Sequence, residues 1–272
     1  MSMRTLSDVA ASRRRRRSTA STARSDRIVA VLAPIGLLVI WEIASRTGVL
    51  DMRFFPPPTL IVSTLVDTIS SGELVRNTLV SLRRLVIGFV VGGVPALLLG
   101  LTMGLYRPVR LAAEPVIAAL YPIPKTAIFP LLLLIFGLGE GSKVAVVAVG
   151  VFFPIVINTA AGVLGIERIH HDVASNFHAS AFQRFRRIAL PGALPLILAG
   201  VRLAVGMALM LIVLAEMLGG RDGLGFMIWN AWQTFAVERM YVALVVVSAL
   251  GVVFTLLLKE FERIVVPWRT SR

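Results

Sequence analysis

The chain has 272 residues, of which 57% are hydrophobic and only 16% are charged. Soluble domains carry about 25% charged residues, so a soluble fold cannot bury this much apolar surface and still cover itself with polar groups. The composition therefore indicates an integral membrane protein, and the lack of cysteine excludes disulfides, thiolate metal sites and cysteine nucleophiles.

The first 27 residues are polar and basic, with five consecutive arginines at 13–17. They contain too little apolar surface to form a core, so we predict a disordered cytoplasmic tail over 1–27. A basic stretch before an apolar one is also typical of secretory and twin-arginine signals. The apolar segment 28–44 is longer than many signal segments and has no A-x-A cleavage pattern, which favours an uncleaved first span.

Six apolar segments are long enough to cross about 30 Å of hydrocarbon at about 1.5 Å per helical residue. They lie at 28–45, 85–106, 111–138, 142–164, 194–217 and 241–260. The third is interrupted by Pro122, Pro124 and Pro130, and such a helix must pack against protein or line a wet cavity. We therefore predict an all-α polytopic membrane protein with about six transmembrane helices, a membrane domain over 28–264 and a cytoplasmic tail at 265–272.

Lysine and arginine are distributed unevenly between the two sides of these spans. If the N-terminus is cytoplasmic, 18 of them fall on the cytoplasmic side and 8 on the outside. The excess follows the positive-inside rule, so we predict that both termini are cytoplasmic. The basic residues lie mostly between and outside the apolar runs, where they meet anionic lipid headgroups of the bilayer. We therefore expect no nucleic-acid partner, although the net charge is +13.

The longest cytoplasmic connection in this topology is the segment 165–193. Asp172 is a suitable N-cap for a helix with apolar residues at 173, 174 and 177. A short break at Ala179 and Ser180 precedes a second apolar stripe, which Pro191 should end. Two short helices with small residues at the bend form either a knob that a soluble partner holds in a groove or only a connection between two spans.

The spacing in this segment resembles the coupling motif of ATP-binding-cassette importer permeases, which is E-A-A-x-x-x-G followed by nine residues and I-x-L-P. The positions that we assign to the motif and its bend are Asp172, Val173, Ala174, His178, Ala179, Ile188, Leu190 and Pro191. Three of them depart from the motif, since Asp replaces Glu, Val replaces the first Ala and His178 replaces Gly.

The resemblance extends from about residue 55 to residue 267. Pro-Ile-Pro at 122–124, Phe-Phe-Pro at 152–154 and Ala-Glu-Met at 215–217, leading to Gly-Leu-Gly at 223–225, are similar to the nitrate/sulfonate/taurine type of these permeases. Related permeases for thiamine-precursor pyrimidines share the stretch Pro-Ile-Pro-Lys seen at 122–125. Each match is weak alone, but together they occur in the right order and on the corresponding spans.

This resemblance implies the membrane-spanning subunit of an importer in a bacterial cell membrane, working as a homodimer. It implies two cytoplasmic ATPase subunits and an extracytoplasmic solute-binding protein as partners. The implied solute is a small anion such as an aliphatic sulfonate, taurine or nitrate, with a thiamine-precursor pyrimidine as the alternative. The chain has no G-x-x-x-x-G-K-[ST] phosphate loop, so we expect no catalytic residue, cofactor or metal of its own.

Two charged residues are candidates for the translocation pathway. Glu216, at the outer end of the fifth span, could line the path, pair across the dimer or reach the membrane interface. Lys125 follows the proline break and could attract an anionic solute or fold back towards the inner interface. The rival class is a secondary transporter driven by an ion gradient, although 28–138 and 142–260 show no convincing repeat.

Three further features have simple structural interpretations. Glycines at four-residue spacing, 88/92 and 100/104, permit close approach of another helix, which we expect within the same subunit. The glycine-rich segment 219–225 resembles a nucleotide turn only superficially, and we predict a flexible turn. Arg202 is expected to anchor at the inner membrane interface.

Overall fold

A computed structural model describes residue 29 and residues 32–267. Every regular element in that part of the chain is helical, which confirms the all-α prediction, and the predicted tail over 1–27 lies outside it. By its internal contacts the described part of the chain divides into two compact units, with the boundary between Ser63 and Thr64.

The first unit contains helix α1, described from 32 to 46, and the beginning of α2 (Pro58–Ser70). Polar contacts fix the connection between them. The Ser45 hydroxyl donates to the carbonyl of Phe55 at 2.7 Å, and the backbone N–H of Thr59 donates to Glu42 at 3.0 Å. Within the connection, hydrogen bonds from the Arg53 side chain and backbone lower the pKa of the Asp51 carboxyl. The predicted first span, 28–45, is only partly described.

The second unit contains the remaining helices. In chain order they are α3 (Glu73–Leu105), α4 (Arg107–Leu120), α5 (Lys125–Phe136), α6 (Glu140–Leu164), α7 (Arg168–Asn176), α8 (Ala181–Arg184), α9 (Leu190–Gly219), α10 (Leu224–Gln233) and α11 (Val237–Val265). Among the described residues, four helical stretches are long and apolar enough to cross a membrane, or five if the bent pair α4 and α5 counts as one span. The predicted second, fourth, fifth and sixth spans each coincide with one of the four.

The predicted third span is a pair of helices rather than one helix. α4 and α5 meet at an angle of 97°, across a turn that contains Pro122 and Pro124. Neither proline has a backbone N–H to continue the helical hydrogen bonds, and Pro124 disfavours helical geometry in Ile123 before it. The helix therefore ends at Leu120 and a new one begins at Lys125.

α6 packs closely against both α3 and α9 because glycines remove side chains from the contacts. A Cβ on Gly92 of α3 would collide with the backbone of Ala148, and a Cβ on Gly162 of α6 would lie 2.9 Å from the carbonyl oxygen of Ala193 in α9. The glycines of α3 thus pack within the subunit, as the sequence predicts. Arg202, expected as an interface anchor, forms an ion pair with Glu262 of α11.

The contacts also define two ends of this helix bundle. Gly88 of α3 faces Val147 of α6, and Gly104 faces Val163, sixteen residues further along both helices. α3 and α6 therefore run in the same direction, and α9 returns in the opposite one. We call the end at which α6 begins and α9 ends the charged end. The opposite end, which carries the segment 165–193, is the loop end.

The helix at the loop end does not stop at Pro191, so this prediction is wrong. Residues 182–219 form one continuous helical stretch that includes a π-helical turn at Phe185–Ala189. The Leu190 N–H donates to the carbonyl of Phe185, five residues earlier. This turn shifts the hydrogen-bond register by one residue, so a proline without an N–H is accommodated in the first turn of α9.

Candidate functional site

The segment 165–193 folds into two helices joined by a tight turn. α7 begins at Arg168, since the His170 N–H already donates to the Glu167 carbonyl at 3.1 Å. Asp172 therefore lies inside the helix and is not its N-cap, contrary to the prediction. Asp172 is exposed, whereas Ala174 is buried.

The bend after α7 depends on a left-handed residue. His178 has φ 53°, and the Ala179 N–H donates to the Ala174 carbonyl at 2.9 Å. This is the six-to-one bond of a Schellman helix ending, whose left-handed residue is usually glycine. Histidine is one of the few other residues that populate this region. His178 therefore keeps the backbone conformation that a glycine at this motif position would favour.

The next helix begins with a reciprocal cap, which confirms the predicted break at Ala179 and Ser180. The Ser180 N–H donates to Gln183 Oε1 at 2.8 Å, and the Gln183 N–H donates to Ser180 Oγ at 3.3 Å. Such a capping box satisfies two backbone donors that the helix leaves unpaired. The bend is therefore fixed by hydrogen bonds on both sides.

The two sides of the bend differ in what covers them. Phe177 and Phe182 are 81% and 67% exposed. Phe185 and Ala189, in contrast, belong to an apolar cluster with Val163 of α6 and its neighbours on α3 and α9. The bend is therefore attached firmly to three long helices while two aromatic side chains stay uncovered within the subunit.

The remaining motif residues lie where the segment joins α9. Ile188 and Pro191 are half-buried, and Leu190 packs against the same apolar cluster. Val173 is exposed. The structure thus brings the first and last parts of the motif to the loop end.

The charged end contains a buried ionic network centred on Arg84 of α3. The guanidinium donates to Glu140 of α6 through Nε at 2.9 Å and through Nη2. It donates through Nη1 to Glu216 of α9 at 2.9 Å and to the carbonyl of Asp222 at 3.0 Å, and through Nη2 to the Asp222 carboxylate. All five guanidinium N–H groups therefore have an acceptor.

Glu216 is completely buried and receives two further hydrogen bonds. Its Oε2 accepts from Ser81 Oγ at 2.7 Å and from the Gly225 N–H at 3.0 Å. The Gly223 N–H donates to Asn77 at 2.8 Å. The segment 219–225 is therefore held to α3 and α9 by hydrogen bonds, and the prediction of a flexible turn is wrong.

Glycine is required at 223 for two reasons. Its φ is 104°, a region that side chains disfavour, and a Cβ there would collide with the Glu216 carboxylate. The Gly-Leu-Gly pattern at 223–225 is thus explained by the glutamate that precedes it.

Arg84, Glu140 and Asp222 were not singled out from the sequence. The local signal was the spacing of Asn77, Ser81 and Arg84, which places three polar side chains on one face of a helix. A polar cavity of about 360 Å³ adjoins the network, lined by Arg84, Leu138, Gly139, Glu140, Lys143, Gly219, Arg221 and Asp222.

Lys125 lies at the break between α4 and α5 and is only 7% exposed. Its ammonium donates to the carbonyls of Leu120 at 3.2 Å, Tyr121 at 2.7 Å and Ile123 at 2.7 Å. It also lies 4.3 Å from the ring centroid of Phe153. Lys125 and Glu216 thus each have a full set of partners within the subunit, and a role for them in the translocation pathway stays a prediction.

Comparison with known proteins places residues 96–267 in the family described as binding-protein-dependent transport system inner membrane component. The chain is 32% identical to the aliphatic sulfonates transport permease protein SsuC of Bacillus subtilis, over 89% of this chain and 87% of the relative. It is 30% identical to the taurine transport system permease protein TauC of Escherichia coli, over 85% and 86%. It is 32% identical to the formylaminopyrimidine transport permease protein ThiX of Halalkalibacterium halodurans, over 87% and 94%.

Proposed function

Because the chain belongs to the family of binding-protein-dependent transport system inner membrane components, we propose that it is the membrane-spanning subunit of an ATP-binding-cassette importer for a small anionic solute. An extracytoplasmic binding protein delivers the solute, and two separate ATPase subunits drive its passage between two copies of this chain. The chain is a transport subunit and has no ATPase site of its own.

The observation that carries this proposal is the capped bend of segment 165–193. Phe177 and Phe182 are uncovered, although a capping box and a Schellman ending fix their backbone. Exposed aromatic residues on a rigid support are typical of a surface that a protein partner covers. The attachment to α3, α6 and α9 lets motion of that partner move the membrane helices as levers.

The proposed orientation places the loop end in the cytoplasm and the charged end outside the bacterial inner membrane. The excess of basic residues on the loop side supports it, since positive charge accumulates on the cytoplasmic side of membrane proteins. Both termini are then cytoplasmic, and the binding protein docks at the charged end.

The proposed solute is an aliphatic sulfonate, taurine, nitrate or a similar small anion, because two relatives carry sulfonate and taurine in their names. A thiamine-precursor pyrimidine is the second candidate, since the relative named for formylaminopyrimidine is equally similar in identity. Uptake of radiolabelled taurine and formylaminopyrimidine, each with its binding protein, distinguishes the two.

The decisive experiment is purification of the full-length protein with its ATPase from native membranes, for the wild type and for Phe177→Ala and Phe182→Ala. We expect both variants to lose the ATPase and ATP-driven uptake while their amount in the membrane stays unchanged. Phe235→Ala is the matched control for retention of the ATPase, since Phe235 is equally exposed but follows α10 near the charged end. Retention of the ATPase by both loop variants, or uptake that survives ATP depletion and is abolished by an uncoupler, would contradict the proposal.

A further inference from the structure

The break between α4 and α5 lies about half-way along the bundle. The ammonium of Lys125 is 4.3 Å from the ring of Phe153, and Phe153 is the fourteenth of the 25 residues of α6. At about 1.5 Å per residue, this is about 20 Å from the start of a helix about 37 Å long. Since α6 is long and apolar enough to cross the membrane, the break is placed near the middle of the hydrocarbon.

Backbone groups at this depth require partners inside the protein, since there is no water to hydrogen-bond them. The last carbonyls of α4 lose helical partners because Pro122 and Pro124 have no N–H. The ammonium of Lys125 has three N–H donors, and the carbonyls of Leu120, Tyr121 and Ile123 accept them. The ammonium of Lys125 and the carbonyls at the helix break therefore provide hydrogen-bond partners for each other.

The surroundings of the ammonium are those of a cation-binding site. Three carbonyl oxygens lie within hydrogen-bond distance, the ring of Phe153 is 4.3 Å away and the ring of Tyr121 is 5.5 Å away. Carbonyl dipoles and aromatic faces both attract cations, most strongly away from water.

We propose that Lys125 is a positioning residue whose ammonium group fills a monovalent-cation site at the α4–α5 break and holds the 97° bend. When the side chain is truncated, the same site accepts a free ammonium-type ion. Lys125 does not bind the transported anion, because its three donors are all directed to backbone carbonyls. The inference rests on the proposed function only where uptake is the readout.

The first test uses uptake by the complete reconstituted importer with Lys125→Ala, Lys125→Met and, as control, the exposed Lys259→Ala. We expect both Lys125 variants to lower uptake by about tenfold, the loss typical of charge-assisted hydrogen bonds. Methylammonium restores Lys125→Ala but not Lys125→Met, whose side chain fills the space, and the KM for the solute is unchanged. Wild-type uptake by Lys125→Met would overturn the inference, as would a KM raised without loss of the maximal rate.

The second test measures the bend without any transport. The chain has no cysteine, so spin labels can be attached at Val116→Cys on α4 and Leu134→Cys on α5, both exposed positions. In lipid nanodiscs, we expect the distance distribution to shift or broaden with Lys125→Ala and to return with methylammonium. An unchanged distribution with both Lys125→Ala and Lys125→Met would refute the role in the bend. If the wild type fails to transport, the proposed function fails while this measurement still tests the inference.

Discussion

Arg84 and Glu216 form an ion pair of 2.9 Å between Nη1 and Oε1 at the charged end, with 2% and 0% of their side chains exposed. Charges removed from water are stable only when they are paired and hydrogen-bonded. Here the guanidinium has five acceptors, and the Glu216 carboxylate has three donors from α3 and from the start of α10. Each residue is therefore needed to keep the other buried.

Removing one partner of this pair should be strongly destabilising. We expect Arg84→Ala and Glu216→Ala each to lower the free energy of unfolding by about 3–5 kcal/mol, because the opposite charge stays buried without a partner. The double variant Arg84→Ala/Glu216→Ala should cost less than the sum of the two single variants, because neither charge of the pair is then left buried without the other. Denaturation in detergent micelles, arranged as a double-mutant cycle, measures both quantities.

Arg83 provides the matched control for this prediction. Arg83 lies next to Arg84 on α3 and pairs with Glu140 at 3.0 Å, but its side chain is 62% exposed. Exposed ion pairs contribute about 0–1 kcal/mol, so Arg83→Ala should have little effect. If Arg83→Ala were as destabilising as Arg84→Ala, burial would not be the reason for the importance of Arg84.

The close contact between α3 and α6 gives a second prediction. Gly92→Ala should lower stability by about 1–3 kcal/mol, because its Cβ would collide with the backbone of Ala148. Gly206→Ala in α9 is the control, since no heavy atom lies within 4 Å of a Cβ there. Because alanine favours helix over glycine, that change should be neutral or stabilise by up to about 1 kcal/mol. Thermal unfolding of the two variants in the same detergent separates these outcomes.

The long helices could be predicted from the sequence because each depends on a local property. A run of about twenty apolar residues is sufficient to indicate a membrane-crossing helix, and α6 and α11 were found in this way. The prolines at 122 and 124 also indicated an interruption of the third span. The angle of 97° was not predictable, because the sequence does not show that Lys125 lies against the ring of Phe153 in another helix.

The ionic network could not be predicted because its members are far apart in sequence. Arg84 contacts residues that lie 56, 132 and 138 positions further along the chain. The predicted second span begins at residue 85, directly after Arg84, whereas α3 begins twelve residues earlier. The wrong N-cap at Asp172 has a similar cause, since the helix already starts at Arg168, upstream of the pattern that suggested it.

The left-handed residue at the bend gives a third prediction. We expect His178→Gly to stabilise the bend by about 1 kcal/mol, since glycine has no Cβ penalty at φ 53°. His170→Gly is the control, because His170 has helical geometry within α7, where glycine is less favourable than histidine and should destabilise. Hydrogen exchange of the Ala179 amide measures the effect. Faster exchange in His178→Gly would show that the histidine side chain itself stabilises the turn.

The burial of Ala174 gives the last prediction, which distinguishes a structural role from a surface role for residues of the segment 165–193. Ala174 is buried at the α7 side of the bend, whereas Val173 beside it is exposed. Ala174→Leu adds one methine and two methyl carbons at a buried position, and such overpacking costs about 1–3 kcal/mol. Because the bend is attached to the long helices through Phe185 and Ala189, strain of this size in α7 should lower ATP-driven uptake by about tenfold, the factor in rate that corresponds to about 1.4 kcal/mol. The amount of protein in the membrane should be unchanged, since the long helices do not depend on the packing of Ala174.

Val173→Leu is the control. It enlarges the neighbouring, exposed residue, and this variant should transport at the wild-type rate. Equal loss of uptake in both variants would mean that the segment 165–193 acts through its exposed surface alone. The burial of Ala174 would then have no part in coupling.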